Sequence, residues 1–160
     1  MTDPIIKQLQ RNSKLSTTDL ADLLGRDEKE IAEQIATFEK DGAILGYHAV
    51  VDPERAGDMG VTALIEVKLT PERGGGFDRL AQRIAKFDSV SSCYLMSGGY
   101  DLAVVVSGET LREVASFVSE KLSTIEGVVS TATHFQLKVY KQSGFLAQTE
   151  SEPTRLAVAP

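Results

Sequence analysis

From residue 61 onward the apolar residues switch between two spacings, and this alternation restricts the fold more than any other feature. Ala63, Ile65, Val67 and Leu69 recur at every second position, the period of a strand with one buried face. Phe77, Leu80, Ala81, Ile84 and Phe87 recur at three and four, the period of an amphipathic helix over residues 77–87. Strands follow at residues 90–96 and 100–106, with Gly98 and Gly99 as the turn between them. A second helix, residues 109–122, directs Leu111, Val114, Ala115, Val118 and Leu122 inward, and a long strand covers residues 128–140. The order β-α-β-β-α-β predicts a ferredoxin-like unit, four antiparallel strands with two helices on one face. The opposite face carries apolar residues and needs cover, which a second copy packed sheet against sheet supplies most simply.

The first third of the chain has helical spacing only. A short helix at residues 4–12 carries Ile5, Ile6 and Leu9, and Ser16 caps a second at residues 17–24 with Leu20, Ala21, Leu23 and Leu24 inward. Gly25 makes a tight turn into a third helix. Asp27 caps it, Glu30 stands where a capping box would bond back, and Ile31, Ile35 and Phe38 line one face. Gly42 fits the left-handed position that ends it. Two short helices joined this way predict a helix-turn-helix, with the third helix in the recognition position. Residues 44–51 are rich in β-formers and predict a wing-like hairpin, while residues 52–60 form a polar, turn-rich connector. The predicted architecture is therefore α+β, a winged helix-turn-helix over residues 1–53, a linker at 54–60, the ferredoxin-like β-α-β-β-α-β domain at 61–141 and a partly disordered tail at 142–160.

Charge conflicts with the recognition position. The chain carries a formal net charge of −6. Between Asp27 and Asp41 six acids (Asp27, Glu28, Glu30, Glu33, Glu39, Asp41) face two lysines (Lys29 and Lys40), a net of −4. DNA affinity rests largely on phosphate neutralisation, so such a helix approaches DNA poorly. Basic support outside it comes from Lys7, Arg11, Lys14 and Arg26. The lone Cys93 lies in an apolar run and reads as a buried structural thiol. No membrane span, signal peptide, phosphate loop, zinc spacing or Ser-His-Asp set is visible, so cytoplasmic localisation, no metal and no cofactor are expected. With only His48 and His134 as histidines, an enzyme is not expected.

Several stretches together resemble the Lrp/AsnC (feast/famine) transcription regulators: Leu20-Ala21 with Leu24-Gly25, the run from Phe38 through Gly42 to Tyr47, Val50-Val51-Asp52-Pro53, Gly98-Gly99-Tyr100-Asp101, and Gly127-Val128-Val129 with Thr131 and Thr133. The resemblance covers about residues 4–141. It implies a DNA-binding N-terminal domain, an effector-binding and oligomerising C-terminal domain, dimers that can assemble into octamers, and an amino acid or related metabolite as effector. The DNA-contacting residues would be Thr17, Lys29, Glu33, Thr37 and Lys40, with Glu33 able to accept from a cytosine amino group. The effector residues would be Gly98, Gly99, Tyr100, Asp101, Thr131, Thr133 and His134. Backbone N–H groups at Gly98-Gly99 would take a carboxylate, Asp101 an ammonium, and Tyr100 would cover the side chain. A bland alternative holds that Gly98-Gly99 is only a hairpin turn capped by Asp101. The competing functional reading is a relative whose acidic helix-turn-helix no longer binds DNA and serves assembly or a protein partner. A related architecture in sirohaem decarboxylases offers an enzymatic third reading.

Overall fold

The computed structural model describes residues 2–58, 60–71 and 76–147. The chain divides into two compact units, residues 1–50 and 51–160.

The first unit contains α1 (Pro4–Arg11), α2 (Thr17–Leu24) and α3 (Glu28–Lys40). Each helix begins where a side-chain oxygen replaces a missing intrahelical acceptor. Asp3 accepts from Ile5 N–H, Ser16 from Asp19 N–H, and Asp27 from Lys29 and Glu30 N–H; such caps contribute about 1 kcal/mol each. The reciprocal box belongs to α2, where Asp19 bonds back to Ser16, and these two bonds hold the Asp19 carboxyl below its ordinary range. On α3 the expected return bond from Glu30 is replaced by an approach to Arg26 at 4.0 Å. Gly25 (φ 62°) and Gly42 (φ 72°) close α2 and α3 in the left-handed region that side chains resist. Ile5, Leu20, Ala21 and Ile31 form the core, with Leu9, Leu15, Leu24, Ile35 and Phe38 packed around it. Leu23, expected inside, is 60% exposed, because α2 turns the face of Leu20, Ala21 and Leu24 to the core.

The predicted wing hairpin is absent. Residues 44–51 contain no strand, and Leu45 is 96% exposed. Among the described residues no other strand of this unit offers its backbone a ladder. Ile44 N–H, donating to the Phe38 carbonyl at 3.0 Å, and the Tyr47 hydroxyl, donating to Glu39 Oε1 at 3.0 Å, tie it back. Partial burial and that acceptor raise the phenol's pKa.

In the second unit, α4 (Pro53–Ala56) is a single turn capped by Asp52, lying in the stretch expected as a connector. Then come β1 (Val61–Leu69), α5 (Asp78–Ala85), β2 (Val90–Leu95), β3 (Leu102–Gly108), α6 (Leu111–Ser116) continuing as a π-helical turn (Phe117–Leu122), and β4 (Val128–Phe135). The four strands form an antiparallel sheet in the order β2-β3-β1-β4. Ala63, Ile65, Val67, Leu69, Leu102, Val104 and Val106 face the helices and are buried against Leu80, Ile84, Val114, Phe117 and Leu122. The buried face of the second helix runs through Val114, Phe117 and Val118, spaced i, i+3, i+4. Leu111 and Ala115, expected inward, are exposed, while Phe117 is buried edge-on against Phe87 at 5.3 Å. β4 ends at Phe135, short of the expected residue 140, because its antiparallel partner β1 begins only at Val61; Gln136 N–H makes the last bond, to Thr62. Residues 142–147 open the stretch expected as a partly disordered tail, and with Lys141 they form a small hairpin of β5 (Lys141–Gln142) and β6 (Phe145–Leu146). The rest of that expected tail, 148–160, and residues 72–75 of the glycine loop lie outside the described residues.

Candidate nucleic-acid interface and effector site

The exposed side of α3 is sorted by charge in a way that a count along the chain hides. At about 100° per residue, Lys29, Glu33, Ala36, Thr37 and Lys40 fall within roughly 100° of arc, opposite Ile31, Ile35 and Phe38. All five are exposed. This stripe holds two lysines and one acid. The remaining acids sit at the helix ends or flanks, and most have partners. Asp27 is the cap. Glu28 Oε1 accepts from Thr17 Oγ1 (2.8 Å) and Thr18 Oγ1 (2.9 Å), tying the starts of α2 and α3 together. Glu30 faces Arg26, and Glu39 accepts from Tyr47. Within α3, Glu33 is the one acid whose carboxylate has no partner among the described residues.

Two expected contacts change character. The Thr17 hydroxyl hydrogen is bonded to Glu28, so a phosphate would have to displace that bond. Thr37 Oγ1 donates to the Glu33 carbonyl at 2.9 Å, which leaves its methyl group on the outer surface. Sequence reasoning missed the Glu28 tie, although a hydroxyl pair at the start of one helix and a glutamate at the start of the next was its visible signal.

The seven expected effector residues do not converge on one pocket. Gly98 (φ 147°), Gly99, Tyr100 and Asp101 form the β2–β3 turn, closed by Met96 N–H donating to the Asp101 carbonyl at 2.8 Å. Asp101 also holds the end of β1: its Oδ2 accepts from Leu69 N–H at 2.7 Å and its N–H donates to the Val67 carbonyl at 3.0 Å. β4 lies on the far side of β1 from this turn. Thr131 and Thr133 pair with Val67 and Ile65, so they face the helices, and Thr131 meets Ser123 at 3.3 Å. His134 pairs with Leu64 on the open face, where its Nε2 lies 3.3 Å from Glu66 Oε1. Adjacent strand residues point to opposite faces, so His134 cannot join Thr133 around one ligand.

A cleft of about 510 Å³ opens at the end of the sheet where Leu69 and Val128 pair. It is lined by Thr70, Pro71, Arg79, Leu80, Arg83, Glu126 and Gly127. Gly127 is required there. Its φ is 96°, a Cβ would stand 2.7 Å from Leu80 Cδ1, and its carbonyl accepts from Thr70 N–H. Cys93 sits between β2 and α5 with Sγ 3.9 Å from the Ala81 carbonyl, and burial raises its pKa. Among the described residues no group of three or more His, Cys, Asp or Glu is placed to hold a metal, and no helix is long and apolar enough to cross a membrane.

Comparison with known proteins agrees with this architecture. The family model for the Lrp/AsnC ligand binding domain matches residues 62–146. An uncharacterized HTH-type transcriptional regulator of Bacillus subtilis, YugG, is 45% identical over 98% of this chain and 95% of its own. The leucine-responsive regulatory protein of Haemophilus influenzae is 28% identical over 89% of this chain and 85% of its own. The crystal structure of transcriptional regulator NMB0573 of Neisseria meningitidis in complex with L-Met shares the fold, with a TM-score of 0.65 at 23% identity over 89% of this chain and 94% of that one. Helix spacing, strand order and these matches lead to one assignment: the chain belongs to the Lrp/AsnC family of transcriptional regulators.

Proposed function

We propose that this protein is a DNA-binding transcriptional regulator whose C-terminal unit responds to an amino acid or a related small metabolite. The observation that carries the DNA reading is the sorting of charge on α3. The exposed stripe keeps Lys29 and Lys40, while Glu28, Glu30 and Glu39 are turned to partners on its flanks. An effector of amino-acid class is supported by the match to the ligand binding domain and by the L-Met complex of the Neisseria regulator. It binds at the sheet end that carries the Gly98–Asp101 turn and the Arg83–Glu126 cleft, where cationic and anionic groups match a zwitterion. The open sheet face, with Leu64 and Tyr94 exposed, is covered by a second copy.

Fluorescence anisotropy with DNA from upstream of the protein's own gene tests this reading. Affinity should fall steeply between about 50 and 200 mM salt, as counterion release requires, and shift when L-amino acids are added. Absence of salt-sensitive binding at low ionic strength would favour an assembly or protein-interaction role instead.

A further inference from the structure

We infer that Glu33 is a base-reading residue that selects a cytosine-containing base pair in the major groove; this rests on the DNA-binding function above. Glu33 lies at the centre of the α3 stripe, one turn from Lys29 and two turns from Lys40. The two lysines are separated by about 16 Å along the helix axis at 1.5 Å per residue. That separation is of the order of the major-groove width of about 12 Å, so each ammonium reaches a phosphate wall while the residues between them face base edges.

The chemistry of those intervening residues is specific. An exposed carboxylate facing phosphate only lowers affinity. Facing the floor of the groove, it is an acceptor matched to the cytosine N4 amino donor. Glu33 is free to do this because its carboxylate has no partner, unlike Glu28, Glu30 and Glu39. Its neighbours present methyl groups. Ala36 has nothing else to offer, and the exposed Thr37 hydroxyl already donates to the Glu33 carbonyl. Methyl groups in the groove suit a thymine C5-methyl. The stripe therefore presents one carboxylate acceptor beside a small apolar surface, flanked by cations. Its occupant is duplex DNA with a C·G pair next to a T·A pair in each half-site.

Selection from a randomised duplex library at low salt tests the assignment, using the full-length protein, Glu33→Ala and Glu33→Gln. The site is exposed, so circular dichroism should show both variants folded. The unaltered protein should enrich one C·G position per half-site with discrimination of about tenfold. Glu33→Ala should lose that preference and keep the others. Glu33→Gln should move it toward adenine, whose N6 and N7 match an amide. Identical preferences from all three proteins, or a uniform affinity gain for every sequence in Glu33→Ala, overturns the assignment while leaving DNA binding intact. Retention of no duplex by any of them overturns both.

Discussion

Replacing Ile31 by alanine tests whether α3 is held in place by the small core beneath it. Ile31 is fully buried, one of four buried core residues among the described residues of the first unit. The substitution removes three carbons, about 0.8 kcal/mol each in transfer free energy. The space left beside Ile5 and Leu20 adds a cavity term, so the total is about 3 kcal/mol. A unit of this size has about 2.5–7.5 kcal/mol in all at 0.05–0.15 kcal/mol per residue. The variant should therefore sit close to unfolding in this unit alone. Hydrogen exchange read by mass spectrometry is the assay, because it resolves α3 from β1. Where exchange reports the opening equilibrium, about 3 kcal/mol is a rate increase of roughly 150-fold on α3 amides. Leu23→Ala is the control: its side chain is 60% exposed, and it should change the same amides by less than about 0.5 kcal/mol. The reasoning fails if α3 in Ile31→Ala exchanges less than about fivefold faster, or if Leu23→Ala matches it.

Three further outcomes follow from the second unit. Gly127→Ala places a Cβ against Leu80 at a positive φ and should cost about 2–5 kcal/mol, read as a lower urea midpoint; an unchanged midpoint would mean that the turn relaxes freely. Asp101→Ala strips the acceptor from Leu69 N–H and should cost about 1–3 kcal/mol without any effector present, whereas a purely ligand-binding Asp101 would leave stability unchanged. Cys93, with its pKa raised by burial, stays protonated in the folded chain at pH 8, so a disulfide-exchange reagent should modify it slowly until denaturant is added; rapid labelling of the native protein would refute that packing.

The elements that were legible in the sequence are those whose burial is decided within a few residues. Ala63 to Leu69 alternate, and all four apolar positions are buried; Asp27 and Gly42 mark the ends of α3 where they were expected. The errors fall where a distant partner decides. Residues 44–51 have strand composition but no strand within their own unit to pair with. β4 stops at Phe135 because its antiparallel partner β1 begins only at Val61, a limit invisible in the alternation of residues 136–140. Leu111 and Ala115 fit one reading of the helical spacing, but the face that meets the sheet is Val114, Phe117 and Val118, spaced i, i+3, i+4, and which of two overlapping apolar faces turns inward is decided by the sheet rather than by the spacing.

The misplaced site residues share one geometric origin, the use of proximity along the chain where direction matters. His134 was grouped with Thr133 because they are adjacent, yet adjacency in a strand means opposite faces. The net of −4 between Asp27 and Asp41 adds residues that are neighbours along the chain, yet a helix distributes such residues around its whole circumference. The sum is not irrelevant. Glu28 and Glu30 lie near a phosphate held at Lys29, and Glu39 near one held at Lys40, within roughly a Debye length of about 10 Å at 0.1 M salt, so they lower affinity for every sequence alike. Salt screens that repulsion, whereas it leaves an acceptor in contact with a base edge largely untouched. The flanking acids therefore weaken specific and non-specific binding together and leave their ratio unchanged. Glu33 is the one acid on α3 whose contribution depends on which base it meets.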